Sequence, residues 1–289
     1  MDFKNASELL ALCAQQQLPV SEIMRRRECE LGESTRDEVT HRMTHALEIM
    51  RASAMTPLKT PVKSMGGLIG GEARKLCEFH DLGKSLCGNV LGKGITYAMA
   101  TLETNASMGL IVASPTAGSA GIVPGMMLAL QEVYGFSDKK IRQALFNAGA
   151  IGYLAMRNAT VAGAVGGCQA EVGIASAMAA SAAVELLGGT PLQCTYAAST
   201  VLMNMLGLVC DPVGGLVEYP CQNRNAAGVS NALIAAEMSL AGIPQFIPLD
   251  EMIDAMYTVG KKLPAELRET ALGGCAATPS ACEKCHLCS

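Results

Sequence analysis

Cys168, Cys210 and Cys221 stand at Gly/Pro-rich junctions, where turn geometry rather than a regular helix would hold the thiols. Cys210 and Cys221 bound a loop that contains Pro212 and Pro220, and Cys168 follows a glycine pair. Three thiolates without an obvious fourth ligand would leave an iron ion with an open position, which Lewis-acid chemistry requires. Their spacing, 42 and then 11 residues, differs from the short spacings of ferredoxins and zinc ribbons. The pattern alone therefore fits a metal site and three buried thiols equally well.

A second polar group stands in the segment Ala-Ser-Pro-Thr-Ala-Gly-Ser-Ala-Gly at residues 113–121. The hydroxyls of Ser114, Thr116 and Ser119 stand among small residues, Gly118 included, just before a predicted helix N-terminus. Hydroxyl and backbone N–H groups in that position could bind a substrate carboxylate. An ordinary helix-entry loop has the same composition, and composition alone favours that interpretation.

Two other patterns are less specific. Residues 66–71 are rich in Gly and precede a predicted helix, so their N–H groups could surround an anion. The Gly-Lys-Ser/Thr ending of a nucleotide-binding P-loop is missing, and we predict a tight turn that packs against the helix. His41 and His45 have the spacing of metal ligands on one helix face, but the surrounding residues are charged and we predict surface positions.

Several ordered blocks carry a family resemblance. Two contain the cysteines discussed above: Gly-Gly-Cys-Gln-Ala-Glu-Val-Gly at residues 166–173, and Cys-Asp-Pro-Val-Gly-Gly-Leu-Val-Glu with Pro-Cys and Arg-Asn-Ala at residues 210–226. The others are the segment 113–121, Met-Gly-Gly-Leu-Ile-Gly-Gly at residues 65–71 and Leu-Arg-Glu-Thr-Ala-Leu-Gly-Gly at residues 267–274. In these blocks, which span most of the chain from about residue 20, the sequence resembles the alpha chain of the iron-sulfur-dependent L-serine dehydratases.

The resemblance implies a lyase, an L-serine ammonia-lyase, that binds a [4Fe-4S] cluster through Cys168, Cys210 and Cys221. One iron would stay free to coordinate the substrate hydroxyl and carboxylate and so polarise the C–O bond. Loss of the α-proton and the hydroxyl would give aminoacrylate, whose imine form hydrolyses to pyruvate and ammonia, a reaction of amino-acid degradation and gluconeogenesis. The resemblance also favours the substrate interpretation of the segment 113–121; the expected contacts are Ser114, Thr116, Gly118 and Ser119, with Asn105 and Arg224 as further candidates.

The catalytic base is not identified by the sequence, because none of the four histidines lies in a matching block. In the family, a second region with its own histidine motif precedes the alpha region, either fused to it or as a separate beta chain. The resemblance therefore implies that a beta chain completes the site and supplies the base. Two other functions stay open: a cluster-dependent L-cysteine desulfidase and a non-catalytic iron-sulfur carrier or sensor.

The C-terminal segment 275–289 departs from the family blocks and contains Cys275, Cys282, Cys285 and Cys288. These thiols could be incidental to a flexible terminus, which is the first interpretation. A tail thiolate could instead occupy the open iron until substrate displaces it. A separate metal site that includes His286 is the third interpretation.

Composition predicts helices that pack through small side chains. Half of the 289 residues are hydrophobic but only 4% are aromatic, with 30 Gly and 17 Met. No sustained alternation of polar and apolar residues indicates a sheet, so we predict an all-α fold. Residues 1–274 are expected to form a single helical catalytic domain, in which residues 1–54 are a peripheral helical layer, and residues 275–289 a Cys-rich tail.

Helix periodicity and breakers predict the individual elements. We expect one or two helices in residues 5–31, broken at Pro19, and a long helix from about Ser34 to Ser53. Further helices are predicted from Glu72, over residues 94–106 and after Ile122. The remaining predicted helices cover residues 138–155, 169–187, 191–209, 225–241, 249–262 and 264–272.

Charge is scarce in the middle of the chain. Only six charged residues occur from Gln143 to Ala236, which predicts a region covered by a partner protein or by self-association. The uncharged run 186–210 contains Gly, Pro and Asn and is too interrupted to span a membrane. Twelve cysteines without an export signal predict a reducing compartment, the cytoplasm, and a net charge of −4 gives no indication of nucleic-acid binding.

Overall fold

The computed structural model describes residues 1–285, and α-helices make up most of this part of the chain. Within it, the strand-like pairing consists of a single parallel bridge between Cys210 and Arg268, so the predicted all-α class is confirmed. The α-helices are α1 (Ala6–Gln16), α2 (Val20–Leu31), α3 (Arg36–Lys59), α4 (Glu72–Asp81), α5 (Gly88–Ala106), α6 (Ile122–Tyr134), α7 (Asp138–Asn158), α8 (Gly163–Gly166), α9 (Ile174–Leu186), α10 (Pro191–Asn204), α11 (Cys221–Leu240), α12 (Leu249–Lys262) and α13 (Pro279–Lys284).

Helix α9 lies at the centre of the core, and every side chain from Ile174 to Val184 is buried. Its sequence is mostly Ala and Ser, and small side chains let α6, α7, α10 and α11 pack against it on all sides. Larger buried side chains such as Met126, Met127 and Leu154 come from the surrounding helices. The turn that leads into α9 is therefore attached to the most deeply buried helix of the fold.

The N-terminal helices are held to this core by specific polar contacts. The carboxylate of Asp250 in α12 accepts hydrogen bonds from the first N–H groups of α1, at 2.7 Å from Ala6 N and 3.1 Å from Ser7 N. The guanidinium of Arg27 lies 3.7 Å from the ring centroid of Tyr153. The division into a peripheral layer, a catalytic domain and a tail stays a prediction.

One predicted helix is wrong. The pattern over residues 264–272 predicts a helix, but only Ala265–Leu267 form a short 3₁₀ turn. The backbone N–H of Cys210 donates to Leu267 O at 2.9 Å, and Cys210 O accepts from Glu269 N at 2.7 Å. The backbone groups of Leu267 and Glu269 therefore pair with the distant loop at Cys210 instead of forming hydrogen bonds within a helix. Glu269 and Ala271 have positive φ angles, which an α-helix excludes.

Other boundaries differ by up to six residues. The predicted helix 191–209 ends at Asn204, and the one predicted from Asn225 begins at Cys221. The helix predicted to begin at Gln169 starts with a π-helical turn, Gln169–Gly173, before α9. The break at Pro19 is confirmed, and the long helix begins after Thr35, whose side chain forms a capping box with Glu38.

Acid is expected to weaken the N-terminal layer through Glu22. The N–H groups of Arg25 and Arg26 each donate to its carboxylate at 2.9 Å, and the hydrogen bond from Arg25 holds the pKa of Glu22 below its ordinary 4.5. Glu22→Gln should lower the free energy of unfolding by about 0.5–1 kcal/mol at pH 7. Because the folded-state pKa is lowered, this difference should shrink as the pH falls from 4.5 through the folded-state value. Urea unfolding at about pH 7 and about pH 3.5 would measure it.

The control for this prediction is Glu237→Gln, which changes an exposed glutamate that forms no ion pair in the described part of the chain. Its unfolding free energy should be unchanged at both pH values. An equal loss for Glu22→Gln at both pH values would contradict the assigned role of the carboxylate.

Candidate metal centre and substrate loop

Two of the predicted cysteine ligands lie beside a carboxylate. Ligand atoms of Cys168, Glu171 and Cys210 all lie within 4.8 Å of one another, and the Cys210 thiol donates to Glu171 Oε2 at 3.7 Å. Both cysteines are buried. Cys221, the first residue of α11, is also buried but does not belong to this closely spaced group. We call Cys168, Glu171 and Cys210 the thiol–carboxylate group.

The position of Cys168 is determined by its two neighbours in sequence. Gly167 has a φ of +74°, and a Cβ there would lie 2.8 Å from Leu208 O, so the turn requires glycine. Gln169 is buried and donates through Nε2 to Met256 O at 2.9 Å, while its Oε1 accepts from Gly207 N at 2.8 Å. The cysteine is therefore held between α12 and the loop that precedes Cys210.

Two glycines pack closely against the thiol–carboxylate group. A Cβ on Gly163 would overlap Glu171 Oε2 and lie 3.0 Å from Cys210 Sγ, and one on Gly118 would lie 3.3 Å from Glu171 Oε1. A larger residue at position 163 would thus displace Glu171 or Cys210. Cys168, Cys210 and Cys221 form no disulfide, and buried thiolates are the ligands that iron-sulfur clusters use. The chemistry of this donor set fits such a cluster.

The predicted substrate loop reaches this group. Thr116 Oγ1 donates to Glu171 Oε1 at 2.8 Å and lies 3.0 Å from Ser119 Oγ. The hydroxyl of Ser114 is buried and has no hydrogen-bond partner within residues 1–285. The structure therefore brings Thr116 and Ser119 together with Glu171, although 55 residues separate Thr116 from it.

Asn225 fixes the shape of the loop. Its side chain is fully buried, donates to Gly118 O at 2.8 Å and accepts from Gly121 N at 3.0 Å. Asn225 lies one turn after Cys221 in α11, and its Nδ2 also donates to Cys221 O at 2.9 Å. One residue thus connects the substrate loop to the helix that begins with the third predicted ligand.

Burial and neighbouring charges separate the pKa values in the site. Burial raises the pKa of Glu171, and burial raises the pKa of Cys221 to about 12. The hydrogen bond from Cys210 lowers the pKa of Cys168, and the positive charge of Arg224 lowers it further. The positive charge of Arg224 therefore favours the thiolate form of Cys168.

The two weaker candidates for substrate contact lie in different surroundings. Arg224 forms an ion pair with Asp211 at 2.6 Å, donates to Val209 O at 2.9 Å and donates to Cys168 Sγ at 3.7 Å. Asn105 is half-buried near the end of α5, and its side chain makes no hydrogen bond within the described residues. The assignments of the substrate residues and of the three cysteine ligands stay predictions.

Two residues of the site were missed by sequence reasoning. Glu171 is three residues after Cys168, a spacing that places both on one helix face, and it is one of the six charges between Gln143 and Ala236. Asp211 directly follows Cys210 and is only 2% exposed. A search for rare charges next to candidate ligands would have found both.

The Gly-rich segment 66–71 surrounds a carboxylate of the same chain. The buried carboxylate of Glu218 accepts from Gly66 N at 2.6 Å, Leu68 N at 2.9 Å and Ser64 Oγ at 2.7 Å. The donors that an external anion would use are thus bound to the loop that connects Cys210 to Cys221. This agrees with the prediction of a structural turn.

Glu218→Gln should lower the free energy of unfolding by about 1–3 kcal/mol, because its amide NH₂ would face a backbone N–H that loses its acceptor. Thermal or urea unfolding of the variant would measure the loss. Ser64→Ala, which removes one of the three donors and leaves the carboxylate in place, is the matched comparison and should cost less. Equal stability of Glu218→Gln and the parent would contradict the importance of this contact.

The histidines and the tail cysteines lie outside the thiol–carboxylate group. His41 and His45 are exposed on α3, and no hydrogen bond joins them to the group within the described part of the chain. The backbone N–H of Cys275 donates to Asp211 Oδ2 at 2.6 Å. Cys282 is exposed and Cys285 is buried, whereas His286 and Cys288 lie outside the described residues.

The helical fold and the two buried thiols beside Glu171 define an all-α protein with a candidate metal centre. The chain belongs to the serine dehydratase alpha-chain family, whose sequence model, described as "Serine dehydratase alpha chain", matches residues 15–276. The resemblance and the lyase class predicted from the sequence are confirmed by this membership.

Curated relatives extend the comparison over nearly the whole chain. The "Probable L-serine dehydratase, alpha chain" of Bacillus subtilis is 50% identical, with 96% of this chain and 92% of the relative covered. The "L-serine dehydratase, alpha chain" of Peptoniphilus asaccharolyticus is 44% identical, with 94% and 93% covered. The "L-serine dehydratase 1" of Escherichia coli is 35% identical, and 95% of this chain aligns with 61% of that protein.

Among the described helices, none is long and apolar enough to cross a membrane.

Proposed function

We propose that this chain is the catalytic subunit of an L-serine dehydratase, which converts L-serine to pyruvate and ammonia. The observation that carries the proposal is the thiol–carboxylate group, in which two buried cysteines face Glu171 and the substrate loop is bonded to the same carboxylate. The names of the relatives support L-serine as the substrate.

Cys168, Cys210 and Cys221 would hold a [4Fe-4S] cluster. The three thiols are buried and form no disulfide, and two of them lie close together beside Glu171, which supports this assignment. An iron with an open position would supply Lewis-acid chemistry to the substrate hydroxyl, which is a poor leaving group without it.

The polar residues around the thiol–carboxylate group could bind the carboxylate and the ammonium group of an amino-acid substrate. The hydroxyl of Ser114 lacks a partner in residues 1–285, so it could donate to the substrate carboxylate together with the 116–119 loop. Thr116 Oγ1 donates a hydrogen bond to Glu171 and thereby fixes the orientation of that carboxylate. Glu171 would bind the substrate ammonium, because a carboxylate next to a buried cationic group compensates its loss of hydration.

The catalytic base would come from a beta chain. No histidine belongs to the thiol–carboxylate group within the described residues. This chain covers more than nine tenths of the relatives named as alpha chains but 61% of the E. coli protein, so that relative contains a further region. We therefore include in the proposal a separate beta chain that corresponds to this further region. A cytoplasmic location and self-association stay predictions.

Anaerobic reconstitution with iron and sulfide, followed by assays of pyruvate from L-serine with and without a co-expressed beta chain, tests the proposal. We expect iron-dependent, oxygen-sensitive activity that requires the partner. Ammonia release from L-cysteine, measured in parallel, identifies a desulfidase if it exceeds release from L-serine. A stable cluster without lyase activity in the complex would favour a carrier or sensor, and an iron-free protein after anaerobic preparation would refute the metal site.

A further inference from the structure

The C-terminal segment 267–275 is bonded to the loop that contains Cys210. Both backbone groups of Cys210 pair with it, the N–H with Leu267 O at 2.9 Å and the carbonyl oxygen with Glu269 N at 2.7 Å. The next residue, Asp211, accepts from Cys275 N at 2.6 Å. Three hydrogen bonds therefore attach this segment to two consecutive residues of the site.

Asp211 also connects the segment 267–275, through Arg224, to a second cysteine, Cys168. Its other oxygen forms an ion pair with Arg224 at 2.6 Å, and Arg224 Nη1 lies 3.7 Å from Cys168 Sγ. Asp211 is 2% exposed and the Arg224 side chain 15% exposed, so water screens the pair little. A continuous set of polar contacts thus leads from the backbone of Cys275 through Asp211 and Arg224 to the thiol of Cys168.

Gly274 lets the segment approach Asp211. It has a φ of +59°, and a Cβ at this position would overlap the Asp211 carboxylate. Any side chain at position 274 would have to displace Asp211. The contact between the segment and the carboxylate therefore depends on this glycine.

We infer that Arg224 is a positioning residue for the cluster rather than a substrate contact, and that Asp211 and the segment 267–275 hold it against Cys168. The inference rests on the proposed cluster. An N–H···S hydrogen bond and a positive charge near a cluster thiolate stabilise the more negative, reduced cluster, so they raise its reduction potential. They also help to keep the ligand in place when oxygen attacks the cluster.

The test compares Arg224→Gln, Arg224→Lys, Asp211→Asn and Gly274→Ala in the anaerobically reconstituted complex with the beta chain. A redox titration followed by electron paramagnetic resonance gives the potential, and the decay of cluster absorbance in air gives its lifetime. Arg224→Gln should lower the potential and shorten the lifetime about tenfold. Arg224→Lys keeps the charge and should restore most of the potential. Asp211→Asn removes a negative charge, which opposes the effect of releasing Arg224 on the potential, so it is compared by its lifetime in air, which should shorten as in Arg224→Gln.

Gly274→Ala displaces Asp211 without removing any polar side chain, and it should also lower the potential. Gly242→Ala is its matched control, because Gly242 has a φ of +83° but a Cβ there would meet no atom within 4 Å. Gly242→Ala introduces backbone strain but no contact with Asp211, so it should leave the reduction potential of the cluster unchanged.

An unchanged potential in Gly274→Ala, or an unchanged lifetime of the cluster in Asp211→Asn, would overturn the inference. A raised KM for L-serine in Arg224→Lys at unchanged potential would assign Arg224 to the substrate and overturn it as well. A wild-type complex without iron would instead refute the proposed function.

Discussion

Cys210→Ala is expected to remove bound iron and lyase activity together. Cys210 faces Cys168 and Glu171 in the thiol–carboxylate group, and alanine offers no donor atom to a metal. We expect pyruvate formation from L-serine to fall at least about 100-fold, because even loss of an outer partner of a metal ligand costs that order. Iron and sulfide analysis after anaerobic reconstitution, together with the pyruvate assay, measures both effects.

Cys194→Ala is the matched control for this variant. Cys194 is fully buried, and burial raises the pKa of its thiol, but it lies in α10 next to Asn147 rather than near Glu171. It should retain its iron and its activity. If Cys210→Ala kept a normal iron content, Cys210 would be a buried small side chain and the ligand set would be wrong.

Glu171→Gln is expected to leave the cluster in place and to lower kcat/KM for L-serine about 100-fold or more. Glutamine keeps the size of the side chain and an acceptor for Thr116, but it loses the negative charge that would face the substrate ammonium. The expected result is therefore a normal iron content with weak binding and slow turnover. Steady-state kinetics and iron analysis of the same preparation check it.

Glu185→Gln, at the end of the same helix α9, is the control. Glu185 accepts from Asn147 Nδ2 at 2.8 Å and from Ser21 N at 3.1 Å, so its loss should affect stability rather than kcat/KM. A Glu171→Gln protein that lost its iron would make Glu171 a ligand of the metal instead of a substrate residue. The distances within the group permit such a result. It would mean that Glu171, rather than the substrate, occupies the open position of the metal.

Much of the fold follows from local patterns. Pro19 separates α1 from α2, and the capping box of Thr35 and Glu38 determines where α3 begins. Small residues predict a helix that other helices can cover on every side, and α9 has that position. These features depend on residues close together in sequence, so periodicity and breakers are sufficient to predict them.

The site depends on tertiary contacts that no local pattern encodes. Residues 264–272 carry a helical pattern, yet Leu267 and Glu269 pair with Cys210 because that loop offers backbone groups that would otherwise be buried without partners. Glu171 is visible in the sequence as a rare charge, but its contact with Thr116 exists only because the segment 113–121 folds against the π-helical turn before α9.

By itself the sequence determined the helical class, the family and the cysteines that could bind a metal. The tertiary structure alone decided which carboxylate faces the thiols and that Asp211 connects Arg224 to the C-terminal segment. The physical reason is that these contacts join residues tens of positions apart in the chain, where neither helix periodicity nor turn chemistry specifies which groups meet.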